Sequence, residues 1–356
     1  MQYVLYIMKL DLGCGGKMND KQKKILTIAV PTYNGSKTIN YMLDILLPQI
    51  DDRIEILISD NCSTDNTEEI VSNYILKYEQ IRYIKNEKNL GADGNFLQCM
   101  LRANGKFTML ISDDDIIIEN TVNNIVDFLE KNPELQLAYL DTVGFKNIYT
   151  GLEDCHRYKK FTKEPLESFV TKDKKEFMKY AQRMWGFTST YIWRTERMQE
   201  VINPEKYFGS YFLQCYMHIE ASNKCDDLLG VIKGPCIAVG EYGIIGNYDT
   251  AQVEGISYRK MIDKAVKSGY DKNQLDKYYK WKLQHLVIRA IIKEKVANVK
   301  KTKYESIIEA TKGLFLCRVK LVAAYLLPRK ICVLVLNIYR KSKGVSSYTY
   351  INRPTD

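Results

Sequence analysis

Apolar positions in the first third of the chain fall into two spacings, continuous runs of strand length and stretches with helical periodicity. ILTIAVP (residues 25–31) is a buried-strand run closed by the turn TYNGS. Lys37 to Ile50 then sets Ile39, Met42, Leu43, Leu46 and Leu47 at helical spacing. IEILISD predicts a second strand ending on Asp60, and the loop NCSTDNT leads into a helix from Thr67 to Tyr78, with Thr64 or Asp65 as its N-cap. IRYIKN, a helix through Asn95 to Ala103, and KFTMLIS complete a β-α-β-α-β-α-β pattern.

Right-handed crossovers turn that pattern into an α/β fold, a Rossmann-like and mostly parallel sheet with helices on both faces and ligands at the carboxyl ends of the strands. The polar loops TYN, DNCSTDNT, NEKNLGADGN and SDDD all lie at such ends. After Asn120 the pattern predicts a helix over Val122 to Lys131, a strand LQLAYLD, and mixed structure to Thr250 that is dense in aromatics at Trp185, Phe187, Tyr191 and Trp193. From Gly255 onward it reads as helical with a basic surface. The expected organisation is a leader (1–23), a globular domain (24–250) whose halves are 24–120 and 121–250, and a basic helical region (251–356). The leader's apolar patch is too short for a signal peptide or a span, and Met18 reads as an alternative start.

Composition narrows the class. A 46% hydrophobic content over 356 residues is that of a globular protein. Nine Cys without a C-x-x-C pair, and three His, suggest neither a zinc site nor a disulfide framework, and point to a reducing cytosol. The net charge of +9 belongs to the helical C-terminal region rather than to an aromatic-studded groove, so nucleic acid is not expected as a partner. Gly313 to Tyr339 is strongly apolar but is interrupted by Arg318, Lys320, Pro328, Arg329 and Lys330. Those charges disfavour a span and favour basic amphipathic helices lying on a membrane surface through 313–340, or packed in the core or a homo-oligomer.

The most informative run is Ser112-Asp113-Asp114-Asp115, three carboxylates at the end of an apolar strand. Adjacent carboxylates repel, and a hard divalent ion relieves them; an oxygen-only cluster suits Mg²⁺ or Mn²⁺, which also hold phosphate oxygens. The alternative is an acidic turn capping the next element. Asp60 can accept a base N–H. Gly91 allows close backbone approach, while Asn89 and Asn95 offer amides to ribose or phosphate. One ligand uses all of these features, a nucleoside diphosphate.

IAVPTYNGSKTI, ILISDNCSTDNT, IKNEKNLGADGNF and LRANGKFTMLISDDD, in this order and spacing, resemble the family 2 glycosyltransferases of the GT-A fold. The resemblance implies that Pro31, Thr32 and Tyr33 line the nucleobase pocket, that Asp60 binds the base, and that Asp113 and Asp114 are the DXD-type pair touching ribose and metal, with Asp115 supporting the metal. It also implies a nucleotide-sugar donor and a glycan or lipid-linked acceptor, in capsule or other surface-polysaccharide synthesis; the scattered thiols and the basic C-terminal helices lead to the expectation of a cytoplasmic enzyme peripheral on the inner face of the cell membrane. An inverting transferase needs a carboxylate base for the acceptor hydroxyl. Where relatives carry a Glu-Asp pair this chain has Gln214, and the candidates left are Glu220, His218 and Asp226. Trp185 could stack on a sugar, and Glu241 to Asn247 could form a lid. The absent Glu-Asp pair also admits an inactive nucleotide-sugar-binding partner of an assembly complex.

Overall fold

The computed structural model describes residues 24–145, 155–157, 162–240 and 248–341; the leader and the loop from Glu241 to Asn247 lie outside them. The chain divides into two compact units, residues 1–242 with 264–271, and residues 243–263 with 272–356.

The first unit is built on one mixed sheet. Its strands are β1 (Leu26–Thr32), β2 (Ile54–Asp60), β3 (Ile81–Lys85), β4 (Phe107–Leu110), β5 (Ile116–Ile117), β6 (Leu135–Phe145), β7 (Phe169–Thr171), β8 (Tyr191–Arg194) and β9 (Leu228–Gly240). They run in the order β3-β2-β1-β4-β8-β6-β9-β5, with β7 on β9. The block β3-β2-β1-β4 is parallel, and β8 is inserted antiparallel between β4 and β6. β9 runs parallel to β6. Every residue of β1 and β2 is buried, as expected for parallel strands covered on both faces.

The covering helices are α1 (Ile39–Leu46), α2 (Thr67–Ile75), α3 (Gly91–Arg102), α4 (Val122–Lys131), α5 (Lys174–Ala181), α6 (Thr195–Gln199) and α7 (Leu213–Ala221). α1 passes into a 3-10 turn at Leu47–Gln49, earlier than its apolar spacing suggests, because Pro48 has no N–H to continue the helix. α3 starts at Gly91, four residues ahead of the expected Asn95. Its first turn contains Gly91 and Gly94, poor helix formers. The start is fixed from outside the helix: Leu90 N donates to Asn61 Oδ1 at 2.8 Å, and Gly91 N to Asn89 Oδ1 at 2.8 Å.

The second unit is helical. It holds the start of α8 (Tyr258–Lys267), then α9 (Lys272–Lys282), α10 (Ile288–Val296), α11 (Tyr304–Ala310), α12 (Phe315–Leu326) and α13 (Arg329–Lys341). No single helix among the described residues is long and apolar enough to cross a membrane; α12 and α13 are bent by 109° at the break between them.

Candidate active site

The loops leaving β1, β2, β3 and β4 share one edge of the sheet, since these strands are parallel. Side chains knit them together. Ser63 N donates to Asp60 Oδ1 at 2.8 Å and Tyr83 Oη to Asp60 Oδ2 at 2.6 Å. Asn34 N donates to Ser63 Oγ at 2.9 Å, and Thr64 N returns a bond to Asn34 Oδ1 at 2.9 Å. Asp65 accepts from Ser36 N at 3.1 Å and from Thr67 N at 3.1 Å. Burial alone would raise Asp65, but these donors outweigh it and hold the carboxyl down at about 2. Asn34 and Cys62 both sit in the left-handed region, with φ of 54° and 64°. Such strain in non-glycine residues persists where surrounding bonds over-determine the backbone.

Asp60 is 0% exposed, and its two oxygens organise the β2 loop through Ser63 N and Tyr83 Oη. Pro31 is likewise buried, paired in register with Ser59. Asn95 is buried and accepts from Ser59 Oγ at 2.7 Å while donating to Ser59 O at 2.9 Å. Its amide braces α3 against β2. Asn61, which the sequence reading passed over, bridges the β2 loop to Asn89 Oδ1 at 2.9 Å and Gly91 O at 3.2 Å. Of the expected donor-pocket residues, Tyr33, Asn89 and Gly91 are exposed. Gly91 has φ of 72° and open space where a Cβ would stand.

The three consecutive carboxylates part company. Asp113 and Asp114 are partly exposed. The Thr32 hydroxyl donates to Asp113, while Ser112 Oγ donates to Asp114 at 2.5 Å. Burial, with the neighbouring Asp114 charge adding to it, pushes Asp113 up to about 6 against the Thr32 hydrogen bond. Asp115 is turned inward. Ser189 Oγ donates to it at 2.5 Å and Gly240 N at 2.8 Å, tying the β4 loop to the residues before β8 and to the end of β9. Burial first, then Asp114, pushes it up to about 7. Both Asp115 oxygens therefore accept hydrogen bonds from within the protein.

Among the described residues no three His, Cys, Asp or Glu side chains converge as a protein-only metal site. Asp113 and Asp114 do offer the hard oxygen donors that suit Mg²⁺ or Mn²⁺, ions bound through one or two carboxylates and completed by substrate phosphates and water. The donor set fits such an ion in company with a diphosphate. A Cβ at Gly35 would collide with the Asp113 carboxylate and the Thr32 hydroxyl, so the β1 loop approaches the pair as closely as glycine allows.

Of the candidate bases named from the sequence, His218 and Glu220 have partners of their own. His218 is 1% exposed, packed between the rings of Tyr191 and Trp193 at 5.1 Å each, and burial lowers it to about 3. Glu220 is bound by the Tyr207 hydroxyl and by Lys206 and Lys264 at 3.3 and 3.1 Å. Burial raises its carboxyl, but those partners outweigh burial and hold it low. Asp226 precedes β9, whose first residues are in register with the start of β6, at the opposite edge of the sheet. Gln214 is buried and donates to Gly186 O at 3.1 Å. Trp185 is 1% exposed and packs on Tyr270 at 4.9 Å, so it offers no face to a sugar; the neighbouring Phe187 is exposed instead.

One carboxylate does face the loop before α7. Asp93, in the first turn of α3, accepts from Gly209 N at 2.7 Å, and burial raises its pKa against that bond. Exposed Phe208 and Tyr211 flank Gly209, and Tyr211 is held at φ of 67°. The sequence carried no local signal for this pairing, because 116 positions separate the two residues.

Residues 27–192 match the family model described as glycosyl transferase family 2. Abequosyltransferase RfbV of Salmonella typhimurium is 26% identical over 263 residues, which cover 70% of this chain and 76% of that one. A glycosyltransferase of Mycoplasma genitalium is 32% identical over 109 residues, 30% of this chain and 37% of its own length. In fold the chain is similar to S. aureus TarS 1–349 in complex with UDP, with a TM-score of 0.57 at 16% identity, over 92% of this chain and 94% of that one. By its ordered motifs, the matched segment and the fold it shares with TarS 1–349, the chain is similar to the family 2 glycosyltransferases over residues 27–192.

Proposed function

We propose that the protein transfers a sugar, with inversion, from a nucleoside-diphosphate donor to a hydroxyl of a glycan or lipid-linked acceptor in the synthesis of a capsule or another surface polysaccharide. The observation that carries this reading is the pair Asp113 and Asp114, partly exposed at the carboxyl end of β4 beside Thr32. Open α/β sheets bind nucleotides at such an edge. Tyr33, exposed at the end of β1, is the residue best disposed to cover a base. Gly91 lets phosphate or ribose approach the backbone. Asp113 and Asp114 would hold Mn²⁺ or Mg²⁺, which when bound neutralises charge on the diphosphate leaving group.

The acceptor side is built from Asp93, Phe187, Phe208 and Tyr211. A carboxylate whose pKa is raised by burial is a better proton acceptor than an ordinary one. In this reading Asp93 takes the acceptor hydroxyl proton, the oxygen forms its bond to the anomeric carbon, and the bond from that carbon to the diphosphate breaks. Exposed aromatic rings beside such a base suit the apolar faces of sugars. An acceptor carried on lipid would meet a peripheral enzyme at the inner face of the cell membrane. Assays of sugar release and transfer with Asp93→Asn test the base. The expected result is loss of transfer by about 100-fold or more with nucleotide binding intact; transfer at the wild-type rate would exclude Asp93 from that role.

A further inference from the structure

The bent pair α12 and α13 exposes more apolar surface than its packing explains. α12 buries Cys317, Leu321 and Ala324, one helical face of it. Its other face still shows Phe315 at 76%, Leu316 at 70%, Val319 at 50% and Leu326 at 67% exposure. α13 exposes Ile331, Leu334, Val335 and Ile338, an i, i+3, i+4, i+7 stripe. Together the two stripes expose roughly 800 Å² of largely apolar surface.

Charge indicates what covers it. From Ala310 to Thr355 the sequence holds no Asp or Glu, while Lys312, Lys320, Arg329 and Lys330 are exposed along the pair. A second copy meeting this face would bring like charges together. Anionic lipid headgroups would complement them and leave the apolar stripes to the acyl region. Length sets the mode of contact. Helices of 12 and 13 residues are about 18 and 20 Å long, short of the ~30 Å hydrocarbon core, and the 109° bend prevents their acting as one rod.

We infer that α12 and α13 form a wedge that seats the protein in one leaflet of an anionic bilayer, with Leu316 and Leu334 among the inserted side chains. This goes beyond the transferase reading and does not depend on it. Deleting everything after Gly313 would be a poor test, because it also removes the buried Cys317, Leu321 and Ala324. The test is flotation of the full chain with vesicles of phosphatidylcholine containing phosphatidylglycerol, and with phosphatidylcholine alone, for the wild type, Leu316→Glu and Leu334→Glu. Both substitutions are at exposed positions; circular dichroism and nucleotide binding check that each variant is folded. The expected result is flotation that requires the anionic lipid and falls at least about tenfold in each variant. Three results would overturn the inference: no flotation, flotation indifferent to both substitutions or to lipid charge, or a wild-type dimer that Leu334→Glu dissolves without any vesicle binding. Nucleotide binding that survives alongside failed flotation would overturn this inference alone.

Discussion

Asp113, Asp114 and Asp115 are adjacent in sequence yet meet different surroundings, and their chemistry follows the surroundings. Asp113→Asn and Asp114→Asn remove charge from a partly exposed edge, so each is expected to lower transfer by about 100-fold or more with thermal unfolding unchanged. Asp115→Ala leaves the Ser189 hydroxyl and the Gly240 N–H without their acceptor. It is expected to cost about 2–3 kcal/mol in chemical denaturation, and an unchanged denaturation midpoint would refute its bracing role. His218 is a stability residue by the same reasoning. Its folded pKa of about 3 lies below the ordinary 6.5, so between those values the unfolded chain binds a proton that the folded chain does not. Stability therefore falls as pH drops below about 6.5, by roughly 2 kcal/mol at pH 5 from this group. His218→Phe is expected to flatten that part of the profile in denaturation measured from pH 7 to pH 5, and an equally steep fall in the variant would contradict the assignment.

Between elements, the site is a set of loops held by amides and carboxylates that the ligand does not see. Gly35→Ala tests the closest approach, since the new Cβ meets Asp113 and Thr32. Donor affinity should fall by about tenfold or more with the fold preserved, and calorimetry returning wild-type affinity would show that the β1 loop is free to give way. The strands were legible in the sequence because β1 and β2 are buried on both faces and so read as continuous apolar runs. α4 was legible because its apolar positions fall on one face between Thr121 and Asn132. The start of α3 was not, because Leu90 N is held by Asn61, 29 positions earlier, and the first turn contains two glycines. The site was legible as a list of loops. Which carboxylates stay open depends on partners far along the chain: Ser189 and Gly240 for Asp115, Tyr83 for Asp60, Gly209 for Asp93. A pattern read over ten or twenty residues does not contain them.

At the scale of the whole molecule, the first unit carries the sheet edge with the carboxylate pair and the second carries the apolar, basic helix pair. Each can fail its test without the other, so nucleotide chemistry and membrane contact are separable claims. The central claim concerns the sheet edge. Its most direct test is calorimetry of UDP, GDP, CDP and dTDP with the full chain, in Mn²⁺ and again in chelator, for the wild type and Asp114→Asn. The account predicts that one nucleotide binds in Mn²⁺, that chelator weakens it by about tenfold or more, and that Asp114→Asn does the same. Absence of binding to all four nucleotides, or binding that neither chelator nor the substitution changes, would contradict it.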